Sequence, residues 1–482
     1  TNESTGVIIS TGSGTVTLPS DTTKISESGE WEYTDGAITD LLVYNNLTVS
    51  GDSSLGSAVT ANGTLTIDSG KTLTLGNYTL NAGSVLNSGT VAISGTGNLT
   101  SSGEVTNDDT VVISGAGNLN ASGKLTNNGT IEISGTGRPN KMDGEHGLVK
   151  YNGTDTQEIK AFSYYNLELS NTSTTGLTVS DNVTVKNNLT VSKDSSVSIT
   201  AGKSFTVSGK TDSTAGTEKL TFTGTGSVIF GGAVGSVKEF ASLSVNGAVT
   251  INGGSVKTTG NQTYTGALTL GADTTFTGTN VTFESSVTGG GKSLTVSGNG
   301  EFDGSVSGVG TLAVSGNTEL KCASVNTGSG NQSYGGTVTV TRAAAEKTTL
   351  ICGEVSFSGN ISGSELDING NVVIPSGVTV ASGNVIKITG NLKTDGTYKP
   401  GADLEIGGNL SGHGVLSATA GMTSFTGNAV PVSGSNTFND LKFGTAGQTV
   451  TFDSGTTQTV DGKFVAQGAS GNLITVKSDS VT

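Results

Sequence analysis

Apolar residues recur with even spacing over residues 86–137, where three similar stretches follow one another 20 residues apart. They read LNSGTVAISGTG (86–97), TNDDTVVISGAG (106–117) and TNNGTIEISGTG (126–137). Because side chains alternate between the two faces of a strand, even spacing places all the apolar residues on one face. The intervening segments, such as SGTGN and TNDD, have the composition of turns. Each 20-residue unit is therefore predicted to form three short strands joined by three turns.

One such unit cannot fold alone. It buries about four apolar side chains, worth roughly 1.5–3 kcal/mol each, against an ordering cost of roughly 1–2 kcal/mol per residue. Stacked units share one core, with strands pairing about 4.8 Å apart. The sequence therefore predicts an all-β fold, a parallel β-helix (β-solenoid) of about 20 residues per triangular coil that forms an elongated rod. Asn87, Asn107 and Asn127 begin successive units, and they are predicted to stack as a structural ladder at one corner.

The repeat continues with drift along the rest of the sequence. A segment GNQTYTGALTL (260–270) returns as GNQSYGGTVTV (330–340), and an aromatic-x-x-Leu motif marks predicted module starts at Tyr44–Leu47, Tyr164–Leu167, Phe240–Leu243 and Phe438–Leu441. The predicted organisation is an N-terminal cap or preceding module (1–43), a regular β-solenoid (44–137), a polar insertion (138–163), two β-solenoid modules (164–239 and 240–437) and the start of a further, truncated module (438–482).

Composition and charge narrow the possible partners. The chain has 75 Gly and 5 Pro, only 13% charged residues, and a net charge of −15. An acidic chain without a basic stripe is a poor ligand for nucleic acid or for an anionic membrane surface. No apolar run approaches the roughly 18 residues that a membrane-spanning helix needs. We therefore expect a solvated extracellular surface, no nucleic-acid partner and no membrane-spanning segment.

The two cysteines, Cys322 and Cys352, are too few for a disulfide framework. They could form one disulfide between neighbouring coils, or they could be two separate buried thiols. The sequence leaves both possibilities open.

Several stretches resemble the repeats of large bacterial surface proteins of the filamentous-haemagglutinin-like and autotransporter-type adhesins. The resemblance is clearest over about residues 225–320, in GSVIFGGAVGSVKEFASLSVNG, TTGNQTYTGALTLGADTTFTGTNVTFESSVTGG and KSLTVSGNGEFDGSVSG. The segments FSYYNLELS and NTFNDLKFGTAGQTVTFDSGTTQTVDGKF resemble repeats of long exported proteins of Gram-negative bacteria. This resemblance implies a right-handed β-helix, export through the outer membrane, an extracellular or cell-surface location, and an adhesive or structural role.

Candidate chemistry concentrates in GRPNKMDGEHGLVKYNGTDTQEIK (137–160), which interrupts the 20-residue rhythm. Among its polar side chains are Arg138, Lys141, Asp143, Glu145, His146 and Lys150. Asp143, Glu145 and His146 have the chemistry to bind a metal or to act in acid–base catalysis, but a polar loop extending from the solenoid explains the same residues. Because insertions in solenoids often lie on the binding face, we interpret the six as a partner-contact loop. No cofactor is predicted; calcium is possible, but no GGxGxD repeat supports it.

Three functions fit this sequence. The first is a structural or adhesive rod that contacts a protein or glycan on a host or neighbouring cell, or that forms a surface filament. The second is a polysaccharide-active β-helix enzyme, which needs Asp, Lys and Arg clustered on one strand face. The third is a self-assembling surface-layer or sheath subunit that associates end to end through its open strand edges. Because no charge cluster is evident in the sequence, we expect the first function and no enzymatic activity.

Overall fold

Parallel strands stacked coil upon coil form both parts of the molecule. The computed structural model describes residues 7–10, 30–34, 36–38, 43–343 and 346–480, and the chain divides into two units, Thr1–Phe240 and Ala241–Thr482. Together the units contain about 21 solenoid turns about 20 residues apart, with no helix among the described residues. The all-β, parallel β-solenoid prediction is confirmed. In the described ranges, no helix has the length and hydropathy required to cross a membrane.

Within its described residues, the first unit contains 28 strands. They are β1 (Val7–Ser10), β2 (Glu30–Tyr33), β3 (Gly36–Ile38), β4 (Val43–Tyr44), β5 (Asn46–Val49), β6 (Ser53–Leu55), β7 (Val59–Ile67), β8 (Thr72–Thr74), β9 (Leu80–Asn87), β10 (Thr90–Ile93), β11 (Leu99–Ser101), β12 (Val105–Asn107), β13 (Thr110–Ile113), β14 (Leu119–Ala121), β15 (Leu125–Asn127), β16 (Thr130–Ile133), β17 (Leu148–Tyr151), β18 (Gln157–Glu158), β19 (Ser163–Tyr164), β20 (Asn166–Leu169), β21 (Leu177–Val179), β22 (Val183–Val185), β23 (Leu189–Val191), β24 (Ser195–Ile199), β25 (Ser204–Val207), β26 (Thr211–Ser213), β27 (Lys219–Gly224) and β28 (Ser227–Phe230).

The second unit contains 32 strands within its described residues. They are β29 (Ser242–Val245), β30 (Val249–Ile251), β31 (Ser255–Lys257), β32 (Gln262–Tyr264), β33 (Leu268–Leu270), β34 (Thr274–Phe283), β35 (Val287–Thr288), β36 (Leu294–Phe302), β37 (Val306–Ser307), β38 (Leu312–Val314), β39 (Thr318–Leu320), β40 (Ser324–Asn326), β41 (Gln332–Tyr334), β42 (Val338–Val340), β43 (Thr348–Phe357), β44 (Ile361–Gly363), β45 (Leu366–Ile374), β46 (Thr379–Ser382), β47 (Val385–Ile388), β48 (Leu392–Thr394), β49 (Thr397–Pro400), β50 (Leu404–Ile406), β51 (Leu410–Ser411), β52 (Val415–Leu416), β53 (Met422–Phe425), β54 (Ala429–Val432), β55 (Asn436–Phe438), β56 (Asp440–Phe443), β57 (Thr449–Phe452), β58 (Gln458–Val460), β59 (Phe464–Ala466) and β60 (Thr475–Ser478).

The 20-residue repeat forms three strand ladders, as its spacing predicts. β10, β13 and β16 pair in parallel with Val91, Val111 and Ile131 in register. β11 pairs with β14, and β12 with β15, again with equivalent residues opposite one another. The inward-facing apolar residues of these strands are at most 1% exposed, and their neighbours along each strand point outward. Each turn therefore adds one layer to a continuous apolar core, which is why the coils must stack in order to fold.

Asn87, Asn107 and Asn127 form the predicted ladder inside this core, and each is at most 1% exposed. Asn87 Nδ2 donates to Asn107 Oδ1 at 2.7 Å, and Asn107 Nδ2 donates to Asn127 Oδ1 at 2.7 Å. The same amides donate to the carbonyl oxygens of Thr110 and Thr130 in the next coil. The ladder thus satisfies buried polar groups at a turn and links consecutive coils.

Glycine is required where turns of successive coils lie against each other. A Cβ atom on Gly117 would lie 1.7 Å from the carbonyl oxygen of Gly97, and one on Gly137 would lie 1.8 Å from that of Gly117. Real Cβ atoms do not approach backbone oxygens so closely. The SGTG and SGAG turns therefore carry glycine because only glycine lets the backbones approach.

The GNQTY and GNQSY segments of the second unit encode the same buried arrangement. Tyr264 Oη donates to Gln262 Oε1 at 2.9 Å, and Tyr334 Oη donates to Gln332 Oε1 at 2.9 Å. Each glutamine in turn donates to a backbone carbonyl of the next coil, Thr277 O at 2.8 Å for Gln262. The recurrent sequence thus places a buried Gln–Tyr pair, with its hydrogen bonds satisfied, inside the core.

Cys322 and Cys352 are free, buried thiols, so the second of the two possibilities left open by the sequence applies. Burial raises the pKa of the Cys322 thiol to about 11 and that of Cys352 to about 12. Both behave as small apolar core residues rather than as reactive groups.

Candidate functional site

Three of the six residues in the predicted contact loop converge. One donor atom from each of Asp143, Glu145 and His146 lies within 4.8 Å of the others. The remaining three make structural contacts. Lys141 Nζ donates to the carbonyl oxygens of Ser122 (3.0 Å) and Gly123 (2.9 Å). Arg138 Nη1 donates to Glu158 O at 3.0 Å, and Lys150 lies 3.4 Å from the Glu168 carboxylate.

Part of the segment interpreted as an insertion continues the solenoid. Pro139 bridges to Leu119 in parallel, and the Asn140 side chain accepts from Ala121 N at 3.1 Å. β17, which includes Lys150, pairs with β16 on one side and with β20 on the other. The irregular part is therefore the turn between Asn140 and β17, and Asp143, Glu145 and His146 all lie in this turn.

Two glycines shape this turn. Gly144 and Gly147 have φ angles of 62° and 70°, in the left-handed region that favours glycine. Coils on either side also approach them closely: a Cβ atom on Gly144 would lie 2.4 Å from Ser163 O, and one on Gly147 would lie 2.3 Å from Asn127 O. The backbone that carries Asp143, Glu145 and His146 is thus held between the preceding and the following coil.

The electrostatic partner of the turn comes from the preceding coil. Lys124 Nζ lies 3.8 Å from Asp143 Oδ2 and 3.6 Å from Glu145 Oε2. The Asp143 side chain is only 5% exposed, whereas Glu145 and His146 are exposed. Asp143 Oδ1 accepts from the Glu145 N–H at 3.3 Å, but Oδ2 is buried and accepts no hydrogen bond. The turn therefore presents one buried and one exposed carboxylate beside an exposed imidazole.

A second site, which sequence reasoning missed, is a polar groove of about 330 Å³ on the outer face of the second unit. Its floor follows three strands on which Glu301, Glu319 and Thr339 are register partners. Along one side, Asn299 Nδ2 donates to Asn280 Oδ1 at 3.0 Å, and Asn299 Oδ1 accepts from the Asn317 N–H at 2.9 Å. The groove therefore offers carboxylate, amide and hydroxyl groups on adjacent coils.

A charge cluster adjoins the groove. Lys321 Nζ donates to the Glu301 carboxylate and lies 3.4 Å from Asp303 Oδ1 and 3.9 Å from Glu319 Oε1. The hydrogen bond from Lys321 lowers the pKa of Glu301, whereas burial raises the pKa of Asp303. The Glu301 hydrogen bond likewise raises the pKa of Lys321. The pKa values of two neighbouring carboxyl groups are thus shifted in opposite directions, an arrangement known from acid–base pairs.

The signal for this cluster is present in the sequence but weak. EFD (301–303) and ELK (319–321) each place charges two residues apart, and such residues share one face of a strand. The two segments are 18 residues apart instead of 20, so a fixed 20-residue repeat does not align them. Only the coil lengths seen in the structure bring them into register.

Glu218 is a buried acid that serves a turn. Its carboxylate accepts from Ser213 Oγ, from the Ala215 N–H at 3.2 Å and from the Gly216 N–H at 3.0 Å. Burial alone would raise its pKa, but these hydrogen bonds to the charged form lower the pKa from 4.5 to about 2. With its oxygens occupied by the turn, Glu218 is a structural residue.

Comparisons with protein-family models, with curated proteins and with solved structures find no match to this chain. By its fold, the chain is a β-solenoid repeat protein.

Proposed function

We propose that this chain is a structural and adhesive segment of a protein exported to the bacterial cell surface, and that the groove at Glu301, Glu319 and Thr339 contacts a glycan. The observation that carries the proposal is this groove, which lies on a stack of coils held in register. A stacked scaffold displays outward side chains at fixed spacing without a mobile loop. The negative net charge and the low fraction of charged residues are compatible with an extracellular surface.

A glycan fits the groove better than a protein surface does. The lining is polar, with amide groups at Asn299 and Asn317, carboxylates at Glu301 and Glu319, and a hydroxyl at Thr339. Such groups donate to and accept from sugar hydroxyls. Protein-binding hot spots instead centre on buried aromatic or Arg anchors, and neither residue type lines this groove.

Binding of the purified full chain to a glycan panel and to immobilised matrix proteins tests the proposal. Glu319→Ala and Thr339→Ala remove groove groups from outward positions, so we expect the fold to persist and glycan binding to fall at least tenfold. Asn299 is avoided because its side chain links neighbouring coils. Asn120→Ala, at an outward position of β14 in the first unit, is the matched control. Unchanged glycan binding in both groove variants would contradict the proposal.

One observation favours a second candidate, a polysaccharide-active enzyme. Glu301 lines the groove and Asp303 adjoins it, and their pKa values are shifted in opposite directions, as a base or nucleophile and an acid require. Release of reducing ends from a polysaccharide panel measures this activity. If the wild-type chain releases reducing ends and both Glu301→Gln and Asp303→Asn abolish the release, polysaccharide cleavage would replace adhesion as the main function. Binding without turnover would support the adhesive role.

Sedimentation and negative-stain microscopy of the same preparation address self-association. Single particles at all concentrations would support an adhesive segment that acts as one chain. Long filaments would make self-assembly the primary function and adhesion a secondary one.

A further inference from the structure

We propose that Asp143, Glu145 and His146 bind a divalent transition cation, with Zn²⁺ as the probe. The three donor atoms lie within 4.8 Å of one another, close enough to converge on one ion. The site lies in the first unit, whereas the proposed glycan groove lies in the second. The inference also departs from the expectation of no cofactor drawn from the sequence.

The donor set determines the class of metal. Imidazole nitrogen suits zinc and its neighbours in the first transition row, and carboxylate oxygen completes such sites. Calcium instead needs six to eight oxygen ligands, and this turn supplies two carboxylates and a nitrogen. Three protein ligands leave at least one coordination position for water or for a donor from a bound partner. Glu145 and His146 are exposed, so such a donor has access from solvent.

Asp143 supplies an independent reason to expect an ion. Its side chain is 5% exposed, and Oδ2 is buried without a hydrogen-bond donor. A buried carboxylate oxygen left without a partner is costly. The nearest positive group is Lys124 Nζ at 3.8 Å, beyond hydrogen-bonding distance. A cation held by the Asp143 carboxylate together with Glu145 and His146 would place a positive charge beside this carboxylate.

The positive charge of Lys124 competes with a metal ion for the two carboxylates. Its ammonium lies 3.6–3.8 Å from both carboxylates, and its side chain is 51% exposed. It can therefore swing into solvent when an ion enters, but its charge still opposes the metal. Removing that charge is expected to strengthen metal binding, and removing a ligand is expected to weaken it.

Titration of the metal-free full chain with Zn²⁺ against a chromophoric chelator tests the site. We expect one saturable Zn²⁺ per chain, with affinity reduced at least tenfold in His146→Ala and in Asp143→Asn. Lys124→Gln should raise the affinity by roughly tenfold, as loss of a unit charge a few ångströms away predicts. Ca²⁺ at the same concentration should not displace the Zn²⁺.

The only other histidine supplies the matched control. His413 is fully exposed and lies 3.7 Å from Asp395, so His413→Ala should leave Zn²⁺ binding unchanged. Hydrogen exchange over residues 138–151 gives a second readout, which should slow on Zn²⁺ addition in the wild-type chain and not in His146→Ala. Absence of saturable binding, loss of binding in His413→Ala instead of His146→Ala, or displacement by equal Ca²⁺ would each overturn the inference.

Discussion

Removal of one rung of the asparagine ladder tests how the solenoid holds its coils together. Asn107 is 0% exposed and lies in the middle of the ladder. Its side chain accepts from Asn87 at 2.7 Å and donates to Asn127 at 2.7 Å and to Thr130 O at 3.1 Å. Asn107→Ala removes these three bonds, together with a longer one from Asn107 Nδ2 to Asp109 O at 3.3 Å, and leaves the neighbouring amide groups buried.

The expected cost follows from these contacts. Each lost hydrogen bond is worth roughly 0.5–1.5 kcal/mol net, and a buried group left unpaired costs roughly 1–3 kcal/mol. Asn87 keeps its bond to Thr110 O at 2.9 Å, so the larger penalty falls on the Asn127 Oδ1 acceptor. The local free energy of opening should therefore fall by roughly 3–5 kcal/mol.

Hydrogen exchange measured by mass spectrometry is the suitable assay because it reports opening coil by coil. Peptides covering β12, β13, β15 and β16 should exchange roughly a hundredfold to a few thousandfold faster in Asn107→Ala. Asn120→Ala changes the same residue type at an outward position of the same coil and should change exchange by less than about threefold. Nearly equal exchange in the two variants would refute the view that the ladder links the coils.

Three further predictions concern packing, ionisation and thiol burial. Gly117→Ala should destabilise its coil by roughly 2–4 kcal/mol, because the new Cβ would clash with backbone atoms. Gly383→Ala should be nearly neutral, because the space around Gly383 is open; an equal increase in local hydrogen exchange in the two variants would contradict this prediction. The pKa of Glu218 is about 2 instead of 4.5, so its ionised form should add roughly 3 kcal/mol to the free energy of unfolding; this contribution is complete above pH 4.5 and is lost between pH 4.5 and 2. Glu218→Gln should therefore lower the thermal midpoint at pH 7 but not at pH 2, and an equal loss at both pH values would contradict the assignment. Cys322 and Cys352, with pKa values near 11 and 12, should resist iodoacetamide at pH 8 until denaturant is added; rapid labelling of the native chain would show that they are accessible.

The fold was predictable because its determinants are local and repeated. Even spacing of apolar residues within a coil, as at Val91 and Ile93, specifies one buried face. The recurrence of Val91 as Val111 and Ile131, 20 residues apart, specifies the stack. The Asn107 ladder followed from the same recurrence. A pattern that repeats on every turn reveals both the strand and its neighbour, so little tertiary information is missing.

The candidate sites were less predictable because they depend on how unequal coils align. Glu301 and Glu319 become neighbours only because one coil shortens to 18 residues, which a fixed period does not anticipate. The six charged residues of the contact loop could be named from the sequence, but their separate roles could not. Lys124 joins Asp143 from the preceding coil, and the φ angle of Gly144 sets the direction of the turn.

Adhesion itself is the most direct test of the proposed function. Beads coated with the full chain would be layered on host epithelial cells and on bacterial lawns, then washed under a fixed shear. Beads carrying the wild-type chain should be retained on at least one layer, and beads carrying the Glu319→Ala, Thr339→Ala double variant should be released at several times lower shear. Equal retention of the wild-type, double-variant and uncoated beads on both layers would contradict the account.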